Sequence, residues 1–157
     1  DLTAWVSQQS YLSVNARTTH RSGRPHEDML VAIGTLSNGV IASHVVNWLT
    51  PFKERTIMVT GEKGALVADT LTADLTFFEN GGSVSNWSGV SAFRGVSEGD
   101  VTRFALDKKE PLLAEHEAFR DAVLTSDLSH IVTLEQGAEV VDIAEKFVLD
   151  GLSHRLD

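Results

Sequence analysis

Cysteine is absent from the 157 residues, which excludes disulfides and thiolate metal sites and suits a reducing, cytoplasmic setting. Positive charge is scarce. Thirteen Lys plus Arg stand against twenty-two Asp plus Glu, and the formal charge of -9 repels a phosphate backbone, so no nucleic-acid partner is expected. No apolar run approaches the roughly 20 residues that span a bilayer, and no charged-then-apolar leader is visible, so no membrane contact is expected. No Gly-x-Gly-x-x-Gly opens a helix after a strand, which leaves the chain without a dinucleotide-binding turn. His20 and His26 lie six apart in a loop and His44 lies within a strand, with no helical i, i+4 pair and no third ligand beside them, so no metal site is expected. Nor does a Ser or Asp around His44 complete a nucleophile arrangement.

What is present is an ordinary globular composition, 42% hydrophobic and 22% charged, in a length that fits one domain over residues 1–157. Leu2, Trp5 and Val6 fall at helical spacing and read as the tail of a helix. Tyr11 to Thr19 alternates as a strand, and a basic connection follows, with Arg17, His20, Arg21, Arg24 and His26 around Gly23 and Pro25. Asp28 to Ser37 and Val40 to Leu49 read as strands joined by Asn38-Gly39, a pair suited to a two-residue type I′ hairpin. Both faces of that hairpin are largely apolar, which predicts cover on both sides.

Further strands are expected over Arg55 to Thr60, Ala65 to Asp69, Leu75 to Glu79 and Val101 to Leu106. Gly61 with Gly64 forms a turn, and an irregular stretch runs from Gly82 to Gly99 with Trp87 and Phe93 as anchors. Leu112, His116, Phe119 and Val123 form one helical stripe. Thr133 and Gln136 match a capping box that opens a last helix, with Ala138, Val141, Ile143, Ala144, Phe147 and Val148 inward. Strands followed by helices predict an α+β fold: an open, mainly antiparallel β-sheet with helices on one face and the other face an oligomer interface.

The most informative stretch is Asn47-Trp48-Leu49-Thr50-Pro51-Phe52-Lys53-Glu54-Arg55, a polar loop between two strand-like runs. Lys53 and Arg55 suit a carboxylate, sugar hydroxyl or phosphate, or equally a solvated flank paired with Glu54 or Glu62. Asn47 can bond a hydroxyl, and Trp48 can wall a sugar or base or belong to the core. Arg17, Arg21 and Arg24 with His20 fit either a diphosphate or a solvated connection. Gly61-Glu62-Lys63-Gly64 lacks the spacer and Ser/Thr of a phosphate loop and is only a turn.

With its flanking strands and helices, this loop resembles the C-terminal domain of the glucose-fructose oxidoreductase and inositol dehydrogenase (Gfo/Idh/MocA) family of NAD(P)-dependent sugar dehydrogenases. The likeness runs from Asp1 to about Ser153, and Glu27-Asp28, Asn38-Gly39 and the Asn47 to Arg55 loop are its most specific parts. The loop is most similar to members acting on nucleotide-activated sugars. The resemblance implies an N-terminal Rossmann domain outside this chain, with NAD or NADP bound there. It also implies self-association through the open sheet face and a substrate-pocket wall at Asn47, Trp48, Thr50, Lys53 and Arg55. Family members use a Lys in a Glu-Lys-Pro stretch and a His shortly before an Asp that Asp1 resembles. This chain has no Glu-Lys-Pro, so no catalytic residue carries over and the chain alone is expected to be inert. The alternative is a free-standing, non-catalytic oligomerisation or ligand-binding module of the same fold.

Overall fold

The structure is a computed structural model that describes residues 1–81 and 97–154. It is α+β, with two open antiparallel sheets, one of three strands and one of four. The chain divides into two compact units, Asp1–Pro51 with Glu115–Asp157, and Phe52–Ala114.

The first unit opens with α1 (Leu2–Ser7), ended by Gln8 in the left-handed region, and continues into β1 (Tyr11–Thr19), β2 (Met29–Leu36) and β3 (Ile41–Asn47). The three strands pair in chain order, with Ala16 opposite Ala32 and Ala32 opposite His44. Strand alternation separates two faces. Leu30, Ala32 and Leu36 are buried on one face, while Val31, Ile33, Ile41 and Val45 are exposed on the other, Ile41 at 71%. Cover on both faces was expected from the sequence; within this unit only one is covered.

The covering element is α3 (Leu134–Ser153), started by a complete capping box in which the Thr133 hydroxyl accepts from the Gln136 N–H and the Gln136 side chain accepts from the Thr133 N–H. Phe147 joins Ala16, Leu30 and Ala32 in the buried core, with Tyr11, Val14, Ile143 and Val148 packed around them. Ala138, Val141 and Ala144, expected inward, are exposed instead, and Val140 is half-buried. The helix meets mainly β1, so a narrow stripe suffices and the wider one read from the sequence reaches past the sheet edge.

Two close approaches fix that docking. A Cβ on Gly151 would meet Thr18 Cγ2 at 2.6 Å, and the Ala16 N–H on the free edge of β1 donates to Asp150 Oδ2 at 2.6 Å. On the same face Tyr11 O–H bonds His44 Nε2 at 2.8 Å, and the Phe147 ring stands edge-on to both rings. His44 is thus a hydrogen-bonded packing residue, and burial pushes its pKa below the usual histidine value.

The β2–β3 turn differs from the expected two-residue form. Leu36 N–H donates to Val40 O and Gly39 N–H to Leu36 O, both at 2.8 Å, so three residues, Ser37, Asn38 and Gly39, make the connection. Only Gly39 has positive φ, at 84°. Asn38 keeps to the ordinary side because its Oδ1 accepts from the Val40 N–H at 3.1 Å, and the glycine supplies the left-handed step that closes a three-residue hairpin.

The second unit holds β4 (Thr56–Gly61), β5 (Gly64–Asp69), β6 (Asp74–Gly81) and β7 (Ser97–Phe104), paired in chain order. The Gly61–Gly64 turn forms as the sequence predicted, and Asn80 secures it by donating its main-chain and side-chain N–H groups to Lys63 O and Glu62 O. Strand β7 begins four residues earlier than Val101. Gly99 permits this, since a Cβ there would lie 2.8 Å from Glu79 O beside the irregularity between Phe78 and Asn80. Asp74 accepts from Arg103 at 2.8 Å and Lys108 at 3.3 Å, which holds its carboxyl well below the usual carboxylate range. Residues 82–96, including Trp87, Phe93 and most of the irregular stretch expected there, lie outside the described residues.

Helix α2 (Pro111–Thr125) matches its expected span, but its stripe is not inward. Leu112, Phe119 and Val123 are exposed, Phe119 at 63%, and Ala122 is its only buried residue among those described. Phe119, Ala122 and Val123 line an open hollow of about 390 Å³ with Ser126, Leu128 and Ile131.

Candidate functional site

In the first unit, the end of the sheet where β1 leaves, β2 enters and β3 leaves is organised by one residue, Asp28. Its side chain is only 1% exposed, yet it sits beside a polar connection. Asp28 Oδ2 accepts from the main-chain N–H groups of Arg21 at 2.6 Å and Ser22 at 2.7 Å, and Oδ1 accepts from the Ser22 hydroxyl. These donors, the Ser22 hydroxyl foremost, hold the carboxyl at about 2, with a smaller attraction from Arg24. Its backbone is equally engaged: Asp28 N–H donates to Thr19 O at 2.8 Å, and Asp28 O accepts from Trp48 N–H at 2.9 Å. One buried carboxylate therefore folds the 20–26 connection back on itself, and the same residue's carbonyl anchors the start of the loop after β3.

Of the five residues expected to form a pocket wall, Asn47, Trp48 and Thr50 belong to this unit. Trp48 is 67% exposed, which removes it from the core and leaves its indole face open. Asn47 is exposed, and its Oδ1 accepts from Leu49 N–H at 2.7 Å in a local turn, which orients the amide and leaves its N–H₂ and the second lone pair of Oδ1 to offer a ligand. Thr50 is exposed.

Lys53 and Arg55 belong to the second unit, at the entry to β4. Both side chains are exposed, and among the described residues neither forms an ion pair with Glu54 or Glu62. The Arg55 main chain is fixed, because its carbonyl accepts from the Thr70 N–H at 3.0 Å and the Thr70 hydroxyl at 3.3 Å.

Sequence reasoning placed Asp28 at a strand start without a role. The signal that could have found it was an Asp abutting an apolar strand and preceded, six residues earlier, by a Ser in a Gly/Pro connection, a spacing that lets a carboxylate cap loop N–H groups. Among the described residues no group of three His, Asp or Glu side chains could hold a metal ion, and no helix is long and apolar enough to cross a membrane.

A family model described as the GFO/IDH/MocA C-terminal domain matches residues 1–67, a stretch that includes Asp28, the β2–β3 hairpin and all five wall residues. No curated protein matches. Among solved structures, the chain is similar to UDP-N-acetylglucosamine 3-dehydrogenase from Acidithiobacillus ferrooxidans, with a TM-score of 0.76 at 20% identity over 95% of this chain and 43% of that one. It is also similar to aldose-aldose oxidoreductase from Caulobacter crescentus, with a TM-score of 0.72 at 16% identity over 98% of this chain and 42% of that one. A third likeness is to a super-repressor mutant of Gal80p from Saccharomyces cerevisiae, with a TM-score of 0.67 at 14% identity over 97% of this chain and 45% of that one. The chain thus spans less than half the length of these proteins. Its fold is the one they share, and over residues 1–67 it matches the GFO/IDH/MocA C-terminal domain.

Proposed function

We propose that the chain is the C-terminal domain of an NAD(P)-dependent sugar or nucleotide-sugar oxidoreductase, forming one wall of its substrate pocket and the contact between its subunits. The observation that carries this proposal is the family match over residues 1–67 ending in a loop whose Trp48 indole is open to solvent. An exposed indole beside an amide can meet a polyhydroxylated substrate, and in the second unit Lys53 and Arg55 are two exposed cations able to meet an anionic group.

In this reading NAD or NADP is held by an N-terminal Rossmann domain outside this chain, which the family match and the 42–45% share of the solved structures that this chain covers support. The proton-transfer residues lie outside it as well. The open face of the first sheet, with Val31, Ile33, Ile41 and Val45, is the surface through which copies of the enzyme associate in a cytoplasmic oligomer.

The test is turnover by the full-length protein. With NAD or NADP and a panel of free and nucleotide-activated sugars, substrate-dependent formation of reduced cofactor is expected, while the 157-residue chain gives none and shows no heat of binding with either cofactor. Sedimentation velocity should show at least a dimer. Full-length protein that binds a sugar but never reduces cofactor would overturn the enzyme reading. It would favour a binding module, for which the repressor fold likeness is the supporting observation.

A further inference from the structure

We propose that the 20–26 connection, held by Asp28, is a subsite for the diphosphate of a nucleoside diphosphate, with Trp48 stacking on the attached base. This rests on the nucleotide-sugar reading above and assigns part of that substrate to residues outside the Asn47 to Arg55 wall.

The first support is charge. In a chain of formal charge -9, the short connection carries His20, Arg21, Arg24 and His26. Arg21 and Arg24 are exposed, and among the described residues neither forms an ion pair. Asp28 turns its carboxylate toward the connection. Three donors from Arg21 and Ser22 occupy it, and it takes neither guanidinium as a direct partner.

The second is preorganisation. A seven-residue connection containing Gly23, at φ 77°, and Pro25 would lose considerable backbone freedom on closing around an anion. The buried Asp28 has already fixed the backbone at Arg21 and Ser22, so the Arg21 guanidinium hangs from an ordered frame, and Arg24 follows two residues on with a second forked donor suited to phosphate oxygens. Because the carboxylate occupies the main-chain N–H groups of Arg21 and Ser22, side chains must do the anion binding.

The third is the position of Trp48. Asp28 reaches the connection through its carboxylate and Trp48 through its carbonyl, so the aromatic surface and the basic connection are each one hydrogen bond from a single residue. An exposed indole and a connection bearing two guanidinium groups, both tied to Asp28, match the base and diphosphate of a nucleotide more closely than they match a free sugar.

The experiment is an NMR titration of the 157-residue chain with UDP, inorganic pyrophosphate and uridine, following the Arg21 and Arg24 side-chain N–H groups, the Trp48 indole N–H and the backbone. UDP should move all three side chains saturably, pyrophosphate the two arginines, and uridine the indole alone, with the first two responses weakened by added salt. The double variant Arg21→Gln, Arg24→Gln should weaken UDP binding by about tenfold to hundredfold, with β1 and β2 backbone signals unchanged. Shifts confined to Lys53 and Arg55 would overturn the subsite and leave the nucleotide-sugar reading standing. No saturable response to UDP or pyrophosphate would also overturn the subsite, while turnover by the full-length protein still decides the oxidoreductase reading. A double variant that binds UDP as tightly as the parent chain would likewise overturn it.

Discussion

Asp150 Oδ2, near the end of α3, accepts the main-chain N–H of Ala16 at 2.6 Å across 134 residues of sequence. Strand β1 is an edge strand, and Ala16 is 2% exposed, so this N–H has neither a neighbouring strand nor water to satisfy it. The helix thereby closes a sheet edge as well as covering a sheet face.

Replacing Asp150 by Ala should therefore cost about 1–3 kcal/mol, the usual penalty for stranding a buried donor, measured as a lower urea midpoint with unchanged slope. Asp150→Asn keeps an acceptor oxygen and should lose less. Equal losses in the two variants would show that charge, not the Ala16 hydrogen bond, is what the helix contributes there.

The Asp28 carboxyl sits at about 2 in the folded protein against an ordinary 3.8, so the native state holds its proton less tightly than the unfolded chain does. Its contribution is complete above the unfolded value and disappears as pH falls from there through about 2. Parent chain and Asp28→Asn should thus differ most in urea midpoint near neutrality and converge toward pH 2. A gap between them that stays constant over that acid range would remove the carboxylate as its source.

Gly151 packs against Thr18 with no room for a methyl group, the nearest atom being Thr18 Cγ2 at 2.6 Å from the Cβ position. Gly151→Ala should destabilise by about 1–3 kcal/mol despite alanine's better helix propensity. Adding Thr18→Ser removes the clashing methyl and should recover much of that loss. Additive losses in the double-mutant cycle would mean that the helix shifts instead of straining.

Under the proposed oxidoreductase reading, Lys53→Gln and Arg55→Gln in the full-length protein should each weaken apparent affinity for an anionic sugar substrate about tenfold to hundredfold, or about 1.5–3 kcal/mol, with cofactor affinity unchanged. Both side chains are exposed, so stability should scarcely move. Wild-type kinetics in both variants, or activity that falls only in step with stability, would remove this pair from the substrate wall.

Much of the fold was legible because alternation and capping are local signals. Tyr11–Thr19 was delimited by its own pattern, and Thr133 with Gln136 announced the start of α3. What a stripe meets is not local. Phe119 and Val123 have helical spacing whether or not another element covers them, and the division of seven strands into two sheets is decided by partners rather than by the strands. At the candidate site the exposed cations could be read as residue types. The role of Asp28 depends on a loop folding back across six residues, and the exposure of Trp48 on the hydrogen bond that turns the chain there.

The Ser37-Asn38-Gly39 connection fixes the register of the strands it joins. Leu36 closes on Val40 across it and so sets Ala32 opposite His44, and the imidazole lies on the side where Tyr11 and Phe147 wait. Removing one residue while keeping a three-residue turn, with Val40 drawn into it, would shift the pairing by one step and set Val45 opposite Ala32. Val45 would then turn toward the helix, while His44 would rotate into the company of Ile33 on the uncovered side. The identity of the outward surface is thus set by which residues close a loop that contributes no side chain to it, and a one-step change in that closure would exchange one protein surface for another.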